Sequence, residues 1–185
     1  AQNCCVVLGT TGLQQADRDK LKGLAEQGGR IVFAPNMSVG VNLLFHLAAE
    51  AARILGDKYD IEITEMHHNQ KKDAPSGTAM RLAEVIAEAV SVDLDEKARH
   101  GRQGIIGPRE NKEIGIHAIR GGDVAGDHTV IFATEGERVE LTHKASTRET
   151  FAKGAVRAIQ YLVDANPGVY DMQQILGIGK GRDEA

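Results

Sequence analysis

Apolar and polar residues change period along this chain, and each change marks an element. The run Cys4 to Leu8 is apolar throughout and meets Gly9-Thr10-Thr11-Gly12, which reads as a strand followed by a turn. A helix is predicted from about Gln14 to Gln27, and Ile31 to Ala34 reads as a second strand. Val41, Leu44, Phe45, Ala48, Ala52 and Leu55 then recur at helical spacing. Tyr59, Ile61 and Ile63 alternate with Asp60, Glu62 and Thr64, predicting a strand over Tyr59 to Glu65 that delivers His67 and His68 at its tip. Beyond Pro75, Ala79, Leu82, Ala83, Ile86 and Val90 restore the helical period, so a helix starts near Ser76 with Gly77 and Thr78 in its first turn.

The second half repeats the strand pattern. Ile114, Ile116 and Ala118, then Val130 and Phe132, then Val139 and Leu141 mark three strands. A last helix carries Phe151, Ala155, Ala158, Ile159 and Leu162 on one side and ends before Asn166-Pro167-Gly168. The stretch 92–112 has little periodicity, and its Arg99-His100-Gly101-Arg102 and Gly107-Pro108-Arg109 pieces read as loop. The order implies a strand-helix-strand α/β portion followed by an α+β layer of four strands with helices on one side.

Composition changes this picture little. A formal charge of -4, with basic residues scattered among acidic ones and 4% aromatic residues, argues against a nucleic-acid partner. The adjacent Cys4 and Cys5 read as part of a buried strand in a reducing compartment, which predicts a cytoplasmic protein. No signal peptide and no stretch long enough to cross a membrane is read from the sequence. His100, His117, His128 and His143 lack metal-ligand spacing, so no metal is assigned.

The chemistry concentrates between Glu65 and Met80. A predicted helix start offers unpaired N–H groups and the positive end of a dipole. With Gly77 and the hydroxyls of Ser76 and Thr78 it forms a cradle for a carboxylate or phosphate. Lys71 adds a positive charge, and His67 or His68 could carry a proton near neutral pH. Because neighbours on a strand face opposite sides, at most one histidine faces such a pocket. Taken alone, Ser76-Gly77-Thr78 is more often just a helix cap.

The conjunction Glu65-Met66-His67-His68, Lys71-Lys72-Asp73-Ala74-Pro75-Ser76-Gly77-Thr78 resembles the signature of the 4-hydroxy-tetrahydrodipicolinate reductase family. Gly9-Thr10-Thr11-Gly12, Ala34-Pro35-Asn36-Met37, Ile119-Arg120-Gly121-Gly122-Asp123 and His143-Lys144-Ala145-Ser146-Thr147-Arg148 are similar to family segments in the family order. The resemblance implies NADH- or NADPH-dependent reduction of a cyclic dicarboxylate in lysine (diaminopimelate) biosynthesis. It implies His67 and Lys71 as catalytic proton donors, and His68, Ser76, Gly77 and Thr78 as substrate-binding residues. Gly9, Thr10, Thr11, Ala34, Pro35, Asn36, Met37 and Arg148 match cofactor-contacting positions. It further implies a partial Rossmann-like dinucleotide-binding domain, residues 1–37 and 148–185, and a substrate-binding and tetramerisation domain with a mixed sheet, residues 38–147, assembled as a homotetramer. Arg120, Asp123 and Lys144 are further candidates for pocket or loop contacts, although a solvated face explains each of them better.

One departure is visible. No G-x-G-x-x-G stretch occurs between a predicted strand and helix, so the pyrophosphate-holding turn of the family is missing from this sequence. A fragment of a longer enzyme is the preferred expectation. The other readings are a catalytically incompetent, dicarboxylate-binding and oligomerising module, or a different two-domain dehydrogenase. The last does not explain the His-His-Lys-Ser-Gly-Thr grouping, and no cysteine lies in a catalytic-looking turn.

Overall fold

The structure is a computed structural model that describes residues 5–10 and 13–178. In chain order it contains β1 (Cys5–Leu8), α1 (Gln15–Glu26), β2 (Arg30–Phe33), α2 (Val39–Leu55), β3 (Asp60–His67) and α3 (Gly77–Val90). There follow α4 (Leu94–Lys97), β4 (Ala98–His100), β5 (Ile114–Arg120), β6 (Gly126–Thr134), β7 (Glu137–Ala145), α5 (Glu149–Asp164), β8 (Gly168–Tyr170) and α6 (Met172–Ile175). The fold is mixed α/β with parallel and antiparallel strands, and the chain forms two compact units, Ala1–Leu43 with Arg148–Ala185, and Leu44–Thr147.

The first unit carries a parallel sheet in the order β1-β2-β8. Val32, Ala34 and Met37 pack with Ala158 and Leu162 of α5 and with Met172 and Ile175 of α6. Two sequence expectations change here. Ile159, placed on the packing side of α5, is half exposed, because Gly154, Ala158 and Leu162 make the buried stripe. Cys5 is exposed on the edge strand rather than buried, since β1 has a ladder partner on one side only among the described residues. The strand β8 and helix α6 went unpredicted because elements of three or four residues are too short to show a period.

The second unit is built on a mixed sheet in the order β4-β5-β3-β6-β7, in which β4, β5 and β3 run parallel and β6 and β7 antiparallel. It has five strands where four were expected, because Ala98–His100 adds an edge strand inside the stretch read as loop. Ile61 and Ile63 of β3, Ile114 and Ile116 of β5, and Val130 and Phe132 of β6 share one buried face, as their registers require. Helix α3 lies against β3 and β5 and buries Ala79, Leu82, Ala83, Ile86 and Ala87, a stripe at helical spacing.

The opposite face is organised by charge. Glu62 accepts both terminal nitrogens of Arg102 at 2.7 and 2.9 Å, Nε of Arg109 at 2.9 Å, and pairs with His117 Nε2 at 2.7 Å. Arg109 also donates to Asp60 and to the carbonyls of Ile61 and Glu113. Residues 101–113 are thereby strapped to the sheet without regular structure of their own. Gly115 makes the room, since an added Cβ would sit 1.8 Å from a Glu62 carboxylate oxygen.

Helix α2 corrects a further expectation. By length and composition alone, Val39–Lys58 would qualify as a membrane span, although none was read from the sequence. Its Val41, Leu44, Phe45, Ala48, Ala49 and Ala52 form one buried face, while Val39, Leu43, Leu47 and Ile54 stand exposed, which is the pattern of a helix packed on one side.

Two glycines test this packing. An added Cβ at Gly154 of α5 would lie 1.8 Å from the Met37 carbonyl oxygen, so Gly154→Ala must push backbone apart and is expected to destabilise by at least roughly 1–3 kcal/mol. Gly23 of α1 has nothing within 4 Å of such a Cβ, and Gly23→Ala should stabilise by up to about 1 kcal/mol through helix propensity. Urea midpoints of the two variants are expected to move in opposite directions.

Candidate active site

The buried face of β3 turns from apolar to ionisable along its length. Ile61 and Ile63 are followed on the same face by Glu65 and His67, both buried. His67 therefore lies inside the strand, which runs two residues further than its alternation predicted. His68, just past the strand end, is half-buried, and its N–H donates to the Val124 carbonyl at 2.8 Å.

Glu65 is the centre of the cluster, with a side chain 0% exposed. Arg120, at the end of the parallel neighbour β5, donates Nη1 to Glu65 Oε2 and Nη2 to Oε1, both at 2.8 Å. His67 Nδ1 lies 2.5 Å from Oε2, and the Ser76 N–H donates to Oε1 at 3.0 Å. Of the two readings the sequence offers for Arg120, a pocket contact and a solvated face, the structure has the contact. The parallel register brings Arg120 beside His67, and an antiparallel or unpaired β5 would not have done so. Glu65 itself carried no role in the sequence reading, although its period-two spacing from His67 was the available signal.

Ser76 caps α3, its hydroxyl accepting from Ala79 N–H at 3.2 Å and lying 3.2 Å from His128 Nε2. Its N–H and its hydroxyl thus both serve internal partners, while Gly77 and Thr78 open the helix, half-buried. Lys71 is ion-paired with Asp73 at 2.9 Å on the loop between His68 and the helix. His128 stands opposite Glu65 on β6 and meets the His67 ring edge-on with centroids 5.2 Å apart, and His143 stands opposite His128 on β7.

The electrostatics follow from burial and partners. Burial pushes the Glu65 carboxyl up, but the hydrogen bonds from Arg120, His67 and Ser76 outweigh it and hold Glu65 below the ordinary carboxylate range. Burial pushes His67 down, Glu65 pulls it up, and the positive charges of Lys71 and Arg120 leave it below the usual histidine value. His128 is driven down to about 3, by burial first and then by the charge of His67.

In the first unit, Gly9 and Thr10 follow the end of β1 and Ala34 to Met37 follow β2, so both predicted cofactor segments lie at the carboxyl ends of adjacent parallel strands. Ala34 N–H donates to Leu8 O at 3.1 Å, and an added Cβ at Gly9 would meet Met37 Cγ at 3.2 Å. Asn36 Oδ1 accepts from Ser38 N–H and Asn42 Nδ2 donates to the Asn36 carbonyl, each at 2.8 Å, while Pro35 is exposed. Arg148 is the exposed N-cap of α5 in the same unit; Thr11 lies outside the described residues.

Fold and cluster define a class: a protein with one parallel α/β unit and one α+β unit, the latter burying acid–base groups next to a helix start. The family model described as dihydrodipicolinate reductase, C-terminus, matches residues 40–176, and the chain belongs to that family. It is 58% identical over 177 residues to the 4-hydroxy-tetrahydrodipicolinate reductase of Magnetococcus marinus, covering 96% of this chain and 66% of the relative. The enzyme of the same name from Hahella chejuensis is 57% identical over 173 residues, covering 94% and 64%. The chain thus spans about two thirds of the length of these curated relatives. A solved dipicolinate-bound dihydrodipicolinate reductase from Paenisporosarcina sp. TG-14 superposes with a TM-score of 0.70 at 29% identity, covering 93% of this chain and 64% of that one.

Acid should loosen the cluster in a defined window. With His128 held near 3 in the folded protein and near 6.5 when unfolded, the unfolded chain binds a proton that the folded one refuses between those values. Stability is therefore expected to fall as pH drops from 6.5, by at most about 1.4 kcal/mol per pH unit for this group. Glu65, held below its unfolded value, adds a loss only as pH falls below about 4.5. Urea titrations between pH 7 and 5 should show a shallower slope for His128→Gln than for the parent protein.

Proposed function

We propose that this protein is a 4-hydroxy-tetrahydrodipicolinate reductase acting in lysine biosynthesis with NADH or NADPH. The observation that carries the reading is one strand-loop-helix passage. It joins a buried histidine in contact with a carboxylate, a lysine and the first turn of a helix, in a chain 57–58% identical to enzymes of that name.

The chemistry fits the residues. Reduction of the substrate adds one hydride and one proton and releases one water, so acid groups must meet both the ring and the departing hydroxyl. A nicotinamide cofactor, when bound, supplies the hydride. Gly9, Thr10, Thr11, Ala34 to Met37 and Arg148 would hold it. Ligands of parallel α/β sheets bind beyond the carboxyl ends of the strands, and Gly9 keeps the backbone there approachable. Gly77 and Thr78, with the dipole of α3, receive one carboxylate, and His68 contributes to binding. Lys71 balances carboxylate charge and assists loss of the hydroxyl as water, while His67 protonates the ring. Ser76 acts in this scheme by fixing the helix start. The residues 1–37 and 148–185 serve the cofactor and 38–147 the substrate. A homotetramer forms through the mixed sheet, where Ile119 of β5 stands exposed, as do Ile105 and Ile106 of the segment strapped to it, and the protein works in the cytoplasm.

Calorimetry with dipicolinate and a nicotinamide absorbance assay test the reading together. Dipicolinate should bind, and His67→Ala and Lys71→Ala should each lower turnover by roughly 100- to 10,000-fold, the range of general acid catalysis. No dipicolinate binding, or turnover unaffected by both substitutions, would discard the reductase reading. Binding without any turnover in the parent protein would favour a dicarboxylate-binding module. Sedimentation at micromolar concentration is expected to give a tetramer, and a monomer would remove that assignment.

A further inference from the structure

We propose that Glu65 and Arg120 are positioning residues that hold His67 as its Nδ1–H tautomer and leave Nε2 as the nitrogen that exchanges the working proton. The second half of this inference rests on the reductase reading; the first half stands on the cluster alone.

Glu65 has no freedom to be anything but an acceptor. Its two oxygens take both terminal nitrogens of Arg120, the Ser76 N–H and the His67 contact, which fills the acceptor sites of an ionised carboxylate. An ionised carboxylate 2.5 Å from Nδ1 requires a proton on that nitrogen, so the tautomer follows from the acceptor count. Arg120 is in turn fixed by the carbonyls of Asp73 and Ile119, at 2.6 and 2.7 Å, so the guanidinium cannot swing away from Glu65.

The other ring nitrogen is kept clear. An added Cβ at Gly126 would lie 3.0 Å from His67 Nε2, and the φ of +155° at Gly126 is itself unfavourable to a side chain. A glycine here keeps bulk off the one nitrogen that Glu65 does not engage. The charged and titratable groups facing His67 are Glu65 on its own strand, Arg120 on β5, His128 on β6 with His143 behind it, and Lys71 and Asp73 on the loop. His128, neutral across the physiological range, cannot compete for the proton. Lys71 and Arg120 disfavour the His67 cation, and a bound dianion would oppose them. Dicarboxylate binding is therefore expected to draw a proton onto His67.

A merely structural ion pair would impose the same tautomer, but it would give no linked proton on dipicolinate binding and no fall in turnover at preserved affinity. The experiment is imidazole nitrogen NMR on the histidine-labelled chain, with the His67 signals assigned by their loss in His67→Gln, plus dipicolinate calorimetry in buffers of different ionisation enthalpy. The parent protein should show pyrrole-type Nδ1 and pyridine-type Nε2 for His67, and proton uptake on binding dipicolinate. Glu65→Gln should scramble the tautomers, abolish the linked uptake and lower turnover by roughly 100-fold or more, while dipicolinate affinity changes less than about tenfold. Arg120→Lys, which keeps the charge but loses the bidentate fork, should give an intermediate effect. An Nε2–H tautomer in the parent overturns the inference, and this readout does not depend on Glu65→Gln or Arg120→Lys folding. The Nδ1–H tautomer without dipicolinate binding would overturn the reductase reading and the working role of Nε2, leaving the Glu65–His67 arrangement standing.

Discussion

The second unit is organised around a carboxylate that has no contact with water. Burying an ionised group costs several kcal/mol after relaxation, and the cost is met only when every oxygen finds a good donor. Glu65 achieves this with donors from β3, from β5 and from the residue that caps α3. The same four contacts set the register of the site: they tie the last residue of β5, the ring of His67 and the first turn of α3 to one point. Removing a donor leaves a buried carboxylate oxygen short of a hydrogen bond, which is strongly unfavourable.

The sheet uses its two faces in different ways. One face begins with isoleucine and phenylalanine under α3 and ends with glutamate, histidine and arginine, so the apolar part supplies cohesion and the polar part chemistry on the same strands. The other has Glu62 collecting Arg102, Arg109 and His117, and it fixes residues 101–113 by ion pairs where a helix would otherwise be needed. Arginine suits both faces because its planar fork satisfies two carboxylate oxygens at once. The two networks face away from each other across β3, where Glu62 and Glu65 occupy opposite sides of the pleat.

Much of this was legible along the chain. The stripes of α2 and α3, the alternation of β3, β5 and β6, and the cap at Ser76 are local properties, expressed in spacings of two or three to four residues. The short elements α4, β4, β8 and α6 were not legible, because three or four residues do not show a period, and two of them exist only as partners of longer strands. Ile159 was misplaced for a related reason: a glycine that lets α5 touch the Met37 carbonyl rotates the buried stripe toward the smaller residues Gly154 and Ala158.

The sequence by itself determined the class of fold, the family likeness, and the run from His67 to Thr78 that carries the candidate chemistry, because these depend on residues close together in the chain. Tertiary structure alone decided which distant groups act on His67. Arg120 and His128 lie more than 50 positions away and reach the site only through the parallel register of β5 and the antiparallel register of β6. Period and propensity report a residue's nearest neighbours, whereas the charge, tautomer and burial of a histidine are set by whatever the strand pairing brings across the sheet.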